Sequence, residues 1–183
     1  MADAVRVVED TRRWLERAVV GLNLCPFAKA VLVKEQVHFA VTQAQDAVGV
    51  LDDFALELDA LVTLPAQERE TTLLVIPQGL DDFLAFHDVA QRAERLVRQR
   101  GLEGVVQVAS FHPQFLFAGT DEDDITNYTN RSPWPTLHLL REESIDRAVA
   151  AFPDAAAIYE VNMERLRQLG PEGWRELDVG KRP

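Results

Sequence analysis

Thr72-Leu73-Leu74-Val75-Ile76 decides the fold. This is a continuous apolar run of strand length, the pattern of a central strand covered on both faces. Upstream, Ala44 to Val62 reads as a helix with Ala47, Leu51, Phe54, Leu58 and Leu61 on its buried side. Downstream, Asp81 to Gln99 carries a second stripe of Phe83, Phe86, Ala90, Ala93 and Val97, and Gly101 ends it. Beyond these helices lie two more strands, Gln36 to Thr42 and Val105 to Ala109. In the first of them Val37, Phe39 and Val41 alternate with His38, Ala40 and Thr42.

Val7 to Asn23 is an amphipathic helix with Val8, Thr11, Trp14 or Leu15, Ala18 and Leu22 on one face, ended by Gly21 and Pro26. A polar loop from Gly119 to Pro133 leads to a short strand, Thr136 to Leu140. Helices follow over Glu142 to Phe152 and Pro153 to Leu169. Strands separated by long helices imply right-handed crossovers. The expectation is one α/β domain over residues 1–183. Its largely parallel or mixed sheet has about four strands with helices packed on it. The tail from Gly170 to Pro183 has no period, and Trp174 is placed to pin it to the body.

The 183 residues allow one full hydrophobic core, and 47% hydrophobic content is that of a globular chain. Nineteen basic against 30 acidic residues give a formal charge of -11. A surface of that sign repels phosphate backbones, so nucleic acid is not an expected partner. No apolar run nears the roughly 20 residues that cross a bilayer. Met1 to Glu9 lacks a signal-peptide core, and the single cysteine forms no internal disulfide. The expected setting is cytoplasmic, away from membranes.

In open sheets of this kind ligands bind beyond the carboxyl ends of the strands. That rule marks Ser110-Phe111-His112-Pro113. His112 is either a general base or acid, or a histidine bonded to backbone at a strand end. Asn127-Tyr128-Thr129-Asn130-Arg131-Ser132-Pro133-Trp134-Pro135 sets amides, hydroxyls and a guanidinium between rigid prolines. Arg131 offers a fork for a carboxylate or phosphate, with Asn127, Asn130 or Ser132 adding neutral hydrogen bonds. The competing account is a loop whose polar groups bond their own backbone. His138 shares a strand face with Thr136 and Leu140, and is placed either toward His112 or in the core, with Arg141 at the strand exit. Cys25, if Pro26 opens a helix, takes a cap position that favours a thiolate, and pairs with His112 as nucleophile and base. Otherwise it simply packs.

Leu22-Asn23-Leu24-Cys25-Pro26-Phe27, Ser110-Phe111-His112-Pro113, and Asn127 to Pro135 with Leu137-His138-Leu139-Leu140-Arg141-Glu142 together resemble a bacterial family, domain of unknown function family 1415. The resemblance implies a stand-alone bacterial protein of this length. It highlights Cys25, His112, Asn130, Arg131 and His138 without giving them roles.

From the side chains, the first expectation is an enzyme, a hydrolase or group transferase, acting on a small anionic molecule. Arg131 would bind the anion, His112 would move the proton and Cys25 would be the nucleophile. A zinc-dependent version would use Cys25, His112 and His138 as ligands. A third reading, from another class, is a non-catalytic domain that binds a metabolite or partner.

Overall fold

The computed structural model describes residues 3–151, 154 and 157–182. Four strands form one mixed sheet: β1 (Val37–Val41), β2 (Thr71–Val75), β3 (Val106–Phe111) and β4 (Thr136–Arg141), in the order β1-β2-β4-β3. β1 pairs with β2 in parallel, while β4 runs antiparallel to both β2 and β3. β1, β2 and β3 therefore point the same way, as helix-linked strands should. The sheet is mixed because β4 returns between β2 and β3 through a loop whose one helical piece is the short 3-10 turn Ile125–Asn130, instead of a long crossover helix. Every residue of β2 is buried, as its apolar run requires.

α3 (Ala47–Thr63) joins β1 to β2, and α4 (Phe83–Gln99) joins β2 to β3. Asp46 and Asp82 cap them by accepting hydrogen bonds from the backbone N–H groups of Gly49 and Ala85. Both connections step the same way across the sheet, so the right-handed rule puts both helices on one face. There Phe54, Leu58, Phe86, Ala93 and Val97 pack against Leu74, Leu137 and Leu139.

The opposite face is covered from the chain's two ends. α1 (Ala4–Trp14) passes directly into a π-helical stretch, Leu15–Val20. Its widened turn is closed by Gly21 N–H to Glu16 O at 2.9 Å and Leu24 N–H to Val19 O at 2.9 Å. Asn23, at φ 52°, then breaks the helix. α2 (Ala28–Val33) follows, and α5 (Glu142–Ala150) leaves the end of β4. The expected end of α5 at Phe152 and start of the next helix at Pro153 lie outside the described residues. α6 (Ala157–Glu176) is bent at Gly170, φ 67°, ahead of Pro171. The tail expected to be irregular thus begins with a helical segment, and Trp174 packs edge-on to Tyr128 with ring centroids 5.1 Å apart.

The buried residues of α1 are Val7, Asp10, Thr11, Arg13 and Trp14. Of the expected stripe Thr11, Trp14, Leu15 and Ala18 are buried, while Val8 and Leu22 are only half-buried and Val7, Asp10 and Arg13 are additions. A charged pair explains the difference. Arg13 Nη2 lies 2.9 Å from Asp10 Oδ1, and both side chains are almost fully buried. Arg13 also donates to Asp178 O at 2.8 Å and Gly180 O at 2.7 Å, and Asp10 Oδ2 accepts from Arg182 N–H at 3.3 Å. The pair thereby ties the C-terminal segment to the first helix. Asp10→Ala strands the Arg13 guanidinium in the interior. The expected loss is about 3 kcal/mol in urea unfolding, with earlier proteolytic clipping of residues 177–182. A loss below about 0.5 kcal/mol, the size of a neutral surface change, would show that the clamp does not hold this end.

Candidate functional site

The two faces of the sheet place the candidate residues apart. Alternation along β3 puts Val106, Val108 and then His112 on the α3/α4 side, and Ala109 and Phe111 on the other. His138 pairs with Ala109 across the β3–β4 ladder, so it shares the face of Ala109 and Phe111. His112 and His138 therefore look in opposite directions.

His112 is fully buried between Phe83 and Phe86, at ring-centroid distances of 5.6 and 5.1 Å. Its Nδ1 accepts the Gln114 N–H at 3.0 Å, which leaves the proton on Nε2 to be donated to Leu80 O at 3.1 Å. Burial holds its pKa below the usual histidine value, partly offset by the Leu80 hydrogen bond. Both nitrogens are engaged by backbone, the arrangement of the strand-end histidine in the alternative reading. The pairing with Cys25 is not formed. Cys25 packs against the Trp14 and Leu73 cluster on the far side of the sheet. Nor does Pro26 start a helix. α2 begins at Ala28, Phe27 occupies the cap and α2 is only six residues long, so Cys25 has no cap position.

The loop side chains mostly bond the loop itself. Asn127 is buried, accepts from Phe117 N–H at 2.9 Å and Thr120 Oγ1 at 2.8 Å, and donates to Asp121 O at 2.8 Å. Asn130 donates to Ser110 O at 3.1 Å, and Ser132 to Trp134 O at 2.6 Å. Arg131 donates to Phe115 O at 3.2 Å and Glu122 O at 2.7 Å, with its guanidinium 4.4 Å from the Tyr128 ring centroid. One edge of Arg131 still borders a cleft of about 250 Å³ shared with Lys181 and Trp174. Arg141 is a helix cap: its Nη2 donates to Leu61 O, Leu64 O and Arg69 O at 2.6 to 2.9 Å, neutralising the negative end of α3.

A larger cavity of about 400 Å³ lies on the His138 face. Its floor is Thr71, Leu73, Ala109, Phe111 and His138, and its walls come from Trp14, Leu15 and Val19, from Cys25 and α2, and from Ile145 and Ala148 of α5. The hollow has a local cause. α2 and α5 contribute no fully buried residue, and the sheet beneath them carries the small Ala109. Glu70 and Arg141 stand together at the end of the cavity where β2 begins and β4 finishes. Cys25, His138 and Arg141 are thus brought together, whereas His112, Asn127, Asn130, Arg131 and Ser132 lie elsewhere. Among the described residues, no group of three or more His, Cys, Asp or Glu side chains is placed to hold a metal ion. The Cys25, His112, His138 ligand set is divided by the sheet.

Thr71, Ala109 and the α5 side chains were not candidates from sequence. The period-two pattern of residues 136–140 does single out His138, but the antiparallel register that turns it from His112 has no local signature. Thr71 Oγ1 lies 2.6 Å from His138 Nε2 and donates to Leu139 O at 2.7 Å. Burial pushes the His138 pKa down to about 4.

The family model described as "Protein of unknown function (DUF1415)" matches residues 6–176, and the chain belongs to that family. No curated protein and no solved structure matches it. Among the described residues, no helix is long and apolar enough to cross a membrane.

The His138 shift has a definite sign. Its folded pKa, about 4, lies below the ordinary 6.5, so the unfolded chain takes up the proton first. Stability associated with the neutral ring is complete above pH 6.5, falls as pH drops toward 4 and levels off below that. The expected loss from this residue is about 3 kcal/mol. Urea unfolding at pH 7 and pH 4 should show a smaller acid loss in His138→Gln than in the parent chain. Equal losses would contradict a His138 ring held neutral in the folded chain.

Proposed function

We propose that this member of the DUF1415 family is a small-molecule-binding protein whose ligand has an apolar body and sits in the cavity against β3 and β4. The observation that carries this reading is the composition of that space. About 400 Å³ lies within the usual range for small-molecule pockets, and its apolar lining includes Trp14, Leu15, Leu73, Phe111 and Ile145. The polar side chains among them are Cys25, Thr71, Gln107, His138 and Ser144, with Glu70 and Arg141 at one end.

Catalysis by a thiol–imidazole pair has less support. Cys25 and His112 sit on opposite sides of the sheet. His138 shares the cavity with Cys25, but its pKa of about 4 makes it a weak base. The non-catalytic binding reading is therefore favoured over a hydrolase or transferase.

The test is binding of 1-aminoanthracene, a compact apolar fluorophore, followed by its emission. The parent chain should bind it, and Ala109→Phe, which fills the floor, should weaken binding by about tenfold or more while far-UV circular dichroism stays unchanged. Undiminished binding by a folded Ala109→Phe would place the probe elsewhere and remove this proposal.

A second reading keeps the anion and moves it to the smaller cleft. Arg131 and Lys181 both border that cleft, and no carboxylate is in its lining among the described residues. Inorganic phosphate should then change the emission of the adjoining Trp14 and Trp174 in the parent chain but not in Lys181→Gln. No change in the parent chain would dismiss it.

A further inference from the structure

The hydrogen bonds beneath the cavity set the polar character of its floor at His138. Thr71 Oγ1 has one hydrogen, and that hydrogen is directed to Leu139 O at 2.7 Å. Toward His138 the same oxygen can only accept, so the contact of 2.6 Å requires the proton on Nε2. Nδ1 of His138 is then a bare acceptor. It makes no hydrogen bond among the described residues. Nor is it one of the buried polar atoms closed off without a partner, and the ring lines the cavity.

The charged groups at the cavity end do not change this preference. The Arg141 guanidinium is directed to the carbonyls of Leu61, Leu64 and Arg69. Glu70 lines the same end, and its carboxylate faces Arg147 Nη2 at 4.0 Å. An anion entering the apolar space would lose its water with no committed cation to replace it. A neutral donor loses less and finds an acceptor held in place by Thr71.

We propose that the ligand of this cavity carries a hydrogen-bond donor, a hydroxyl, an amide N–H or an un-ionised carboxyl, which it presents to His138 Nδ1 while its apolar body fills the space toward Trp14 and Phe111. The proposal rests on the binding reading above and adds the identity of the polar head. It makes Thr71 a positioning residue, because its hydroxyl sets the tautomer without needing to touch the ligand.

Three naphthalenes of nearly one size separate the outcomes: 1-naphthol, 1-methoxynaphthalene and 1-naphthoate at pH 7. Titration calorimetry should find 1-naphthol bound about tenfold or more tighter than 1-methoxynaphthalene, which accepts but does not donate. In His138→Phe that preference should vanish while both still bind. Equal binding of the naphthol and its methyl ether by the parent chain would overturn the donor assignment and leave the cavity reading standing. Tightest binding of 1-naphthoate would overturn it in favour of an anion held by Arg141. Binding of none of the three would overturn both proposals. A ligand-free measurement guards against a variant that misfolds. Nitrogen-15 NMR of the parent chain should show the His138 proton on Nε2, and a proton on Nδ1 would refute the assignment.

Discussion

A central strand buried along its whole length cannot be left with a bare side, and the rest of this structure answers that constraint. β2 has all five residues buried, so both faces of the sheet need cover. One face receives two long helices by the handedness of successive crossovers. The other has no long crossover helix available. It is covered by α1 and its π-helical extension, the short helices α2 and α5, and the C-terminal segment held by Asp10 and Arg13. This unequal cover separates a filled core from a face with space in it.

The same asymmetry sorts the polar residues into two kinds. On the filled side His112 is a packing residue, stacked on phenylalanines and tied to backbone through both nitrogens. On the hollow side His138 has one nitrogen tied and one open. Arg141 stabilises the end of α3, and Arg131 and Asn127 hold their own loop. Polar side chains that look equally available in sequence thus differ in how much bonding capacity the fold leaves them.

Much of the scaffold could be read from periodicity. The stripes containing Phe54, Leu58 and Leu61, and Phe86, Ala93 and Val97, are core in the structure because long helices average over local exceptions. The stripe of α1 was less legible, since Asp10 and Arg13 look like surface residues until the tail, some 165 positions away, is brought against them. The site was least legible. Cys25 and His138 were candidates, yet their common cavity depends on β4 entering between β2 and β3 antiparallel. A one-residue change of register would turn His138 to the opposite face, and no short pattern records that choice. Thr71 escaped notice because its importance lies in one hydrogen bond to a residue 67 positions away.

The account depends most on the hollow face being open space and not a gap that side chains close in solution. Crystals of the ligand-free protein under xenon pressure test that directly, because xenon occupies apolar cavities and ignores polar clefts. The account predicts ordered xenon between Trp14, Phe111 and Ile145. Crystals with that space filled by rearranged side chains, and xenon only elsewhere, would contradict it.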